Sequence, residues 1–179
     1  MDKYEIFNKA LMYAIKKHEN QLRKDGRPYI YHPIQVAQLT HIAGRGMRYQ
    51  TVAVLHDVFE LTDAKFEDIE EFGPEIVEAV KAITRKNGED DESYLQRILQ
   101  NKIARVVKSC DVIDNMYDTV LCDDSDWARK YIYKIRKEYW GRLSKATDMS
   151  IMQASEWVDN YPDKRPLPSF SKEDLSPYV

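Results

Sequence analysis

The chain has 179 residues, 43% of them hydrophobic, which suits one compact domain with a sizeable core. Its 27 basic and 30 acidic residues leave a net charge of −3, so no global field favours nucleic acid or an anionic membrane. The start MDKYEIFNKA lacks the apolar core of a signal peptide, and no apolar run approaches the ~20 residues that span a bilayer. Cys110 and Cys122 form neither a disulfide framework nor a CxxC pair, so the expected setting is cytoplasmic and reducing, with both thiols as small side chains.

Ile6, Phe7, Ala10, Leu11, Ala14 and Ile15 recur at helical spacing and predict an amphipathic first helix, from residue 2 or 3 to about Glu19. Asp25-Gly26 then signals a turn, and Pro28 and Pro33 disfavour helix for the residues before them. Pro33 suits the first turn of a second helix, to about Ile42, stopped by Gly44 and Gly46; His32 then lies just ahead of it. Arg48 to Leu61 reads as a third helix, apolar on nearly every side around His56 and Asp57 and therefore buried. A short acidic helix over Phe66 to Phe72 stops at Gly73, and Pro74 opens another over Glu75 to Thr84. KNGEDDE, from Lys86, reads as a solvated acidic loop. Ser93 to Gln100 and Ile103 to about Val120 are further helices, the second carrying Asp111 and Asn115.

Cys122 to Asp126 breaks the pattern, and Trp127 to about Met149 reads as a long helix, followed by a shorter one near Ile151 to Asp159. Four prolines from Pro162 onward predict an extended tail over residues 161–179. No strand pattern competes, so the expected fold is all-α, a single compact helical domain over residues 1–160. WARKYIYKIRKEYWGR, residues 127–142, interleaves aromatics with basic side chains, a composition also seen on nucleic-acid faces. The negative overall charge and the absence of any nucleic-acid motif favour the simpler reading: Trp127, Tyr131, Ile135 and Tyr139 pack inward while Lys and Arg meet water. A contact in a homo-oligomer is the alternative left open for this helix.

The polar pair inside the third helix carries the chemistry. An unpaired buried carboxylate costs several kcal/mol, so Asp57 needs a partner. A divalent cation supplies one, because imidazole nitrogen and carboxylate oxygen are both good ligands; a His-Asp hydrogen bond inside an ordinary core is the alternative. His32, His56, Asp57 and Asp111 together make a mixed nitrogen–oxygen donor set. His56 and Glu60 are i,i+4 neighbours, as are Asp111 and Asn115. Taken singly, His32 reads as a turn residue beside Pro33 and Asp111 as a helix-surface carboxylate.

The order His32, His56-Asp57, Asp111 resembles the HD superfamily of metal-dependent phosphohydrolases. The segments HENQLRKDGRPYIYHPIQVA, VLHDVFELT, FGPEIVEAVKAITR, SYLQRI and VKSCDVIDNM resemble the hydrolase domain of the RelA/SpoT family, from the first helix to about Val120. That resemblance implies an HD-domain helical bundle and removal of the 3′-pyrophosphate from ppGpp and pppGpp, with manganese as the metal. It implies His32, His56, Asp57 and Asp111 as metal ligands, with Glu60 activating or positioning the attacking water. Arg23 and Lys24 match the basic pair that lies against the nucleotide, and Asn115 matches a pocket-lining Asn; Tyr29 and Asp118 fall at pocket-side positions. The chain length matches the small stand-alone hydrolases of the family, without synthetase or regulatory domains.

The match also departs from the pattern. Leu61 stands where most of the family has the second acid of a Glu-Asp pair, and Val112, Asp114 and Tyr117 replace residues that are usually Arg, His and Arg. A lost Arg and an added Asp make the site less welcoming to a highly phosphorylated guanosine. Two alternatives follow: hydrolysis of another phosphorylated nucleotide such as NADPH, or nucleotide binding without turnover.

Overall fold

The computed structural model describes residues 1–121, 130, 131 and 134–147. Among these residues the fold is helical throughout, and the extended pairing is a single antiparallel bridge between Leu22 and Pro28. Helix α1 (Lys3–Lys17) begins at Asp2, whose carboxylate accepts from the Tyr4 and Glu5 amides, and basic residues Lys16 and Lys17 complement its C-terminal end. A tight loop leads into α2 (Tyr31–Ile42), which Gly44 ends at φ 71°, a left-handed conformation that suits glycine.

Helix α3 (Met47–Leu55) and the single turn α4 (Val58–Leu61) replace the one helix expected over Arg48 to Leu61. The break has a local cause. His56 Nδ1–H donates to the Ala53 carbonyl at 2.7 Å, the acceptor that the Asp57 amide would use in a continuous helix. Asp57 sits at φ −100°, ψ −9°, out of line with the helix it follows.

The acidic segment Phe66–Phe72 is a 3-10 helix, and α5 (Pro74–Ile83) follows with Pro in its first turn. Then come α6 (Asp91–Gln100), capped by the Asp90 carboxylate on the Ser93 amide, and α7 (Lys102–Leu121). Residues Ile135–Trp140 form a stretch of π-helix continued by α8 (Gly141–Thr147). The remainder of the helix expected over 127–149, the helix near 151–159 and the tail over 161–179 lie outside the described residues, as does the domain boundary at residue 160. No helix among the described residues is long and apolar enough to cross a membrane.

Helix α3 packs against α1, α2, α5 and α7, and α7 against α2, α3, α5, α6 and α8, so these two helices form the centre of the bundle. Val52, Ala53, Val54 and Leu55 are fully buried there, beside Val107 and Val112 of α7. Ile98 of α6 is 0% exposed in the same core. Ile98→Ala is expected to cost about 2–5 kcal/mol of stability, read as a lower urea midpoint at unchanged slope.

The acidic loop is less solvated than expected. Glu89 accepts from Arg97, Asp91 from Arg85 and Lys134, and Glu92 from Arg142. The Lys134 and Arg142 pairs hold α6 against the aromatic segment, where Ile135 and Tyr139 are each 4% exposed. Lys134 and Arg142 thus partner carboxylates of this chain; Trp127 lies outside the described residues.

Candidate metal centre and nucleotide cleft

Three segments far apart in sequence converge at one point. His32 stands in the first turn of α2, one residue inside the helix rather than ahead of it. The break after α3 turns His56 and Asp57 to the same side, and α7 presents Asp111 from the third direction. His32 Nε2 lies 3.0 Å from Asp111 Oδ1 and 3.4 Å from Asp57 Oδ2. His56 Nε2 lies 3.2 Å from Asp57 Oδ2 and 3.6 Å from Asp111 Oδ1. One ligand atom each of His32, His56 and Asp57 falls within 4.8 Å of the others. Donors held at about 2.1 Å from a common cation lie roughly 3.0–3.4 Å apart, so this spacing suits a metal.

Both imidazoles are oriented for that role. His56 Nδ1–H is held by the Ala53 carbonyl at 2.7 Å, and His32 Nδ1–H by Asp114 Oδ2 at 2.6 Å. Each ring therefore points Nε2 at the carboxylates, the arrangement in which an outer acceptor sets the tautomer of a ligating histidine. His56 Nε2 is buried without a well-aligned hydrogen bond among the described residues. A buried ring nitrogen aimed at two carboxylates and lacking a bond of its own fits a cation between them.

The electrostatics point the same way. Burial disfavours a charged His56 imidazole, yet the nearby charges of Asp57 and Asp111 outweigh it and push its pKa up to about 9. Burial likewise opposes charge on His32, but Asp111, Asp114 and Asp57 hold its pKa well above the ordinary value. Burial would raise Asp57 and Asp111; the imidazoles, and for Asp111 the Lys108 ammonium first of all, hold both well below the carboxylate range. Two carboxylates that raise every basic neighbour make a site that favours positive charge, which a divalent cation supplies.

Around this centre, Tyr29 donates its hydroxyl to Asp57 Oδ2 at 2.5 Å, and Asn115 Nδ2 donates to Asp111 Oδ1 at 2.6 Å. Glu60 is open to solvent and accepts from the Arg85 amide at 2.5 Å. Desolvation lifts its pKa above that of an ordinary Glu, with the Asp57 charge adding to the shift. Leu61 is 45% exposed.

A cleft of about 180 Å³ opens beside the centre, its walls including Arg23, Lys24, Asp25, Tyr29, Asn115 and Asp118. The turn at Gly26 (φ 85°) and the Arg23 amide bond to the Arg27 carbonyl fold residues 21–29 over this cleft. Arg23 does not present a free charge there. Its guanidinium side chain is 7% exposed and pairs with both Asp114 and Asp118. Arg27 pairs with Asp25 and Asp118, and Lys24 is exposed at the rim.

Two residues that the sequence did not single out also belong here. Lys108, one helical turn before Asp111, donates to Asp111 Oδ2 at 2.7 Å, and its position at i−3 of a candidate ligand was the available signal. His18 is 2% exposed, stacks at 5.0 Å on Tyr29 and is held by Gln21 through Nδ1. Cys110 is fully buried, and burial pushes its thiol up to about 12, which agrees with an inert small side chain.

A family model described as HD domain matches residues 10–104. The guanosine-3′,5′-bis(diphosphate) 3′-pyrophosphohydrolase MESH1 of Drosophila melanogaster is 30% identical over 154 residues, 79% of this chain and 83% of that protein. The Homo sapiens MESH1 is 33% identical over 135 residues, 66% of this chain and 72% of that protein. An Aquifex aeolicus guanosine-3′,5′-bis(diphosphate) 3′-pyrophosphohydrolase is 35% identical over 123 residues, 63% of this chain but 17% of its own length. A solved structure, reported as a metazoan ortholog of SpoT that hydrolyzes ppGpp and plays a role in starvation responses, superposes with a TM-score of 0.62 at 27% identity. It covers 80% of this chain and 92% of that one. With a matched domain that takes in His32, His56 and Asp57, and relatives aligned over most of their length, this chain belongs to the HD-domain family, in the group that contains the MESH1 hydrolases.

Proposed function

We propose that this chain hydrolyses guanosine 3′,5′-bis(diphosphate) at its 3′-pyrophosphate, giving GDP and pyrophosphate (GTP from the pentaphosphate), with a divalent cation held by His32, His56, Asp57 and Asp111. The observation that carries the reading is that one carboxylate oxygen each of Asp57 and Asp111 lies within 3.6 Å of both His32 Nε2 and the unbonded His56 Nε2. When bound, such a cation lowers the pKa of water toward neutrality and offsets phosphate charge.

The surrounding residues divide the remaining work. Tyr29 and Asn115 steady Asp57 and Asp111 from outside the ligand set. Glu60 is fixed by the Arg85 amide, accessible to water and raised in pKa, so it accepts the proton released by the attacking water. Lys24, Tyr29, Asn115 and Asp118 form the wall against which the nucleotide lies. A nitrogen–oxygen donor set without thiolate suits manganese among the divalent ions.

One observation favours a second substrate. Arg23 and Arg27 are paired with Asp114, Asp118 and Asp25, which leaves the cleft less cationic than a bis(diphosphate) calls for. A nucleotide with an isolated phosphate monoester, such as the 2′-phosphate of NADPH, fits that charge better. Incubating the purified chain with Mn2+ and either substrate decides between them: pyrophosphate released from ppGpp supports the first reading, inorganic phosphate from NADPH the second. Turnover of neither leaves a nucleotide-binding protein.

Removing the metal has a predicted signature of its own. At a metal concentration of 100 times Kd the bound ion adds about 2.7 kcal/mol of stability, so chelation is expected to lower Tm by roughly 5–10 °C. Differential scanning fluorimetry with and without EDTA, followed by Mn2+ add-back, measures it.

A further inference from the structure

Arg23 is placed as no phosphate clamp would be. Its guanidinium is nearly sealed from solvent, and two of the residues it contacts, Asp114 and Asn115, themselves hold a candidate metal ligand. Nη1 reaches Asp114 Oδ2 at 3.2 Å, Nη2 reaches Asn115 Oδ1 at 3.2 Å, and Asp118 takes the remaining ion pair. From Asp114 the path continues to His32, whose Nδ1–H lies 2.6 Å from the same Oδ2. From Asn115 it continues to Asp111, whose Oδ1 accepts the amide at 2.6 Å. His32 Nε2 and Asp111 Oδ1 then meet at 3.0 Å, which closes the circuit.

We propose that Arg23 and Asp114 are positioning residues for the metal centre: Asp114 fixes the tautomer and direction of His32, and Arg23 locks Asp114 and Asn115 together so that His32 and Asp111 face one cation. This rests on the four-ligand reading of the centre. Each end of the circuit has a chemical reason. A neutral imidazole must carry its proton on Nδ1 to offer Nε2, and the Asp114 carboxylate is the acceptor in reach. Arg23 donates to the Asn115 oxygen, which orients that amide with its nitrogen toward Asp111. This circuit ties the turn that carries Arg23 to α2 and α7 through side chains alone. It also accounts for Asp114 lying 2% exposed in the core of the site.

The test uses the full chain loaded with Mn2+, metal affinity by competition with a fluorescent chelator, and the visible spectrum of the Co2+-substituted protein as a ligand-field signature. Arg23→Gln and Asp114→Ala are each expected to weaken Mn2+ binding about 10- to 100-fold and to shift the Co2+ bands. At saturating Mn2+, the KM of Arg23→Gln for the nucleotide stays near that of the parent. Asp114→Asn, which keeps an acceptor for His32 Nδ1–H, recovers part of the affinity lost in the alanine variant. Circular dichroism melts confirm that each variant is folded. A raised KM at unchanged Mn2+ affinity in Arg23→Gln overturns the proposal and returns Arg23 to the nucleotide; Asp114→Asn binding no better than Asp114→Ala removes the tautomer role. His56→Ala separates the two readings. If it loses Mn2+ while Arg23→Gln and Asp114→Ala bind normally, the centre stands and the circuit falls; if it keeps Mn2+, both fall.

Discussion

Replacing His56 by alanine is expected to lower kcat/KM by about 10³-fold or more, and to yield purified protein without stoichiometric metal. Of the four donor atoms proposed to hold the ion, His56 Nε2 is the one with no other well-aligned bond among the described residues. Its loss leaves Asp57 and Asp111 facing each other with one imidazole between them, a poor cage for a cation and a costly pair of buried charges. The size of the effect follows from what the cation does for the reaction: several kcal/mol of charge stabilisation, at about 1.4 kcal/mol per factor of ten. Elemental analysis of the variant beside steady-state kinetics measures both halves. Stoichiometric manganese in a folded His56→Ala protein would falsify the assignment of this ligand set.

Glu60→Gln is the second substitution with a large expected consequence, a fall in kcat of about 10²- to 10⁴-fold at unchanged metal content. Glu60 is not one of the proposed ligands and bonds the Arg85 amide instead, so the substitution leaves the cage intact. What it removes is a base. Desolvation lifts its pKa above that of an ordinary Glu, against the opposing hydrogen bond from the Arg85 amide, and a carboxylate so raised is the better proton acceptor. Leu61 next to it is 45% exposed and supplies no second acid, so the proposed base has no carboxylate beside it at that position. A pH–rate profile of the parent and the variant, with the acid limb lost in Glu60→Gln, separates a base from a merely structural carboxylate.

How much of this could be read from the chain depended on how local each feature was. The helices around the site follow from apolar periodicity, Pro33 and Pro74 in first turns, and glycine stops, and all of these act within a few residues. The interruption at His56-Asp57 did not show, because apolar residues on every side report burial and say nothing of continuity. It takes the imidazole bond to the Ala53 carbonyl to break the ladder. For the same reason Glu60 reaches the site from a separate turn rather than as the i,i+4 neighbour of His56 on one helix.

The pairing of Arg23 with Asp114 and Asp118 spans some ninety residues of sequence, beyond any spacing rule, and it changes the meaning of a basic pair that looks exposed. Lys108 and the π-helical stretch at Ile135–Trp140 carried no composition signal strong enough to separate them from an ordinary helix face. Asp111 shows the converse. Alone it reads as a surface carboxylate, yet it is 3% exposed, because the helix that carries it is central to the bundle.

The break between α3 and α4 has one more consequence. An ion that joins the start of α2, this elbow and the middle of α7 cross-links parts of the chain that are remote in sequence, much as a disulfide does. Such a bridge closes long loops and lowers the entropy of the unfolded ensemble. The proposed centre is then also the clasp of the bundle, so metal depletion is expected to cost hydrolysis and durability of the chain together.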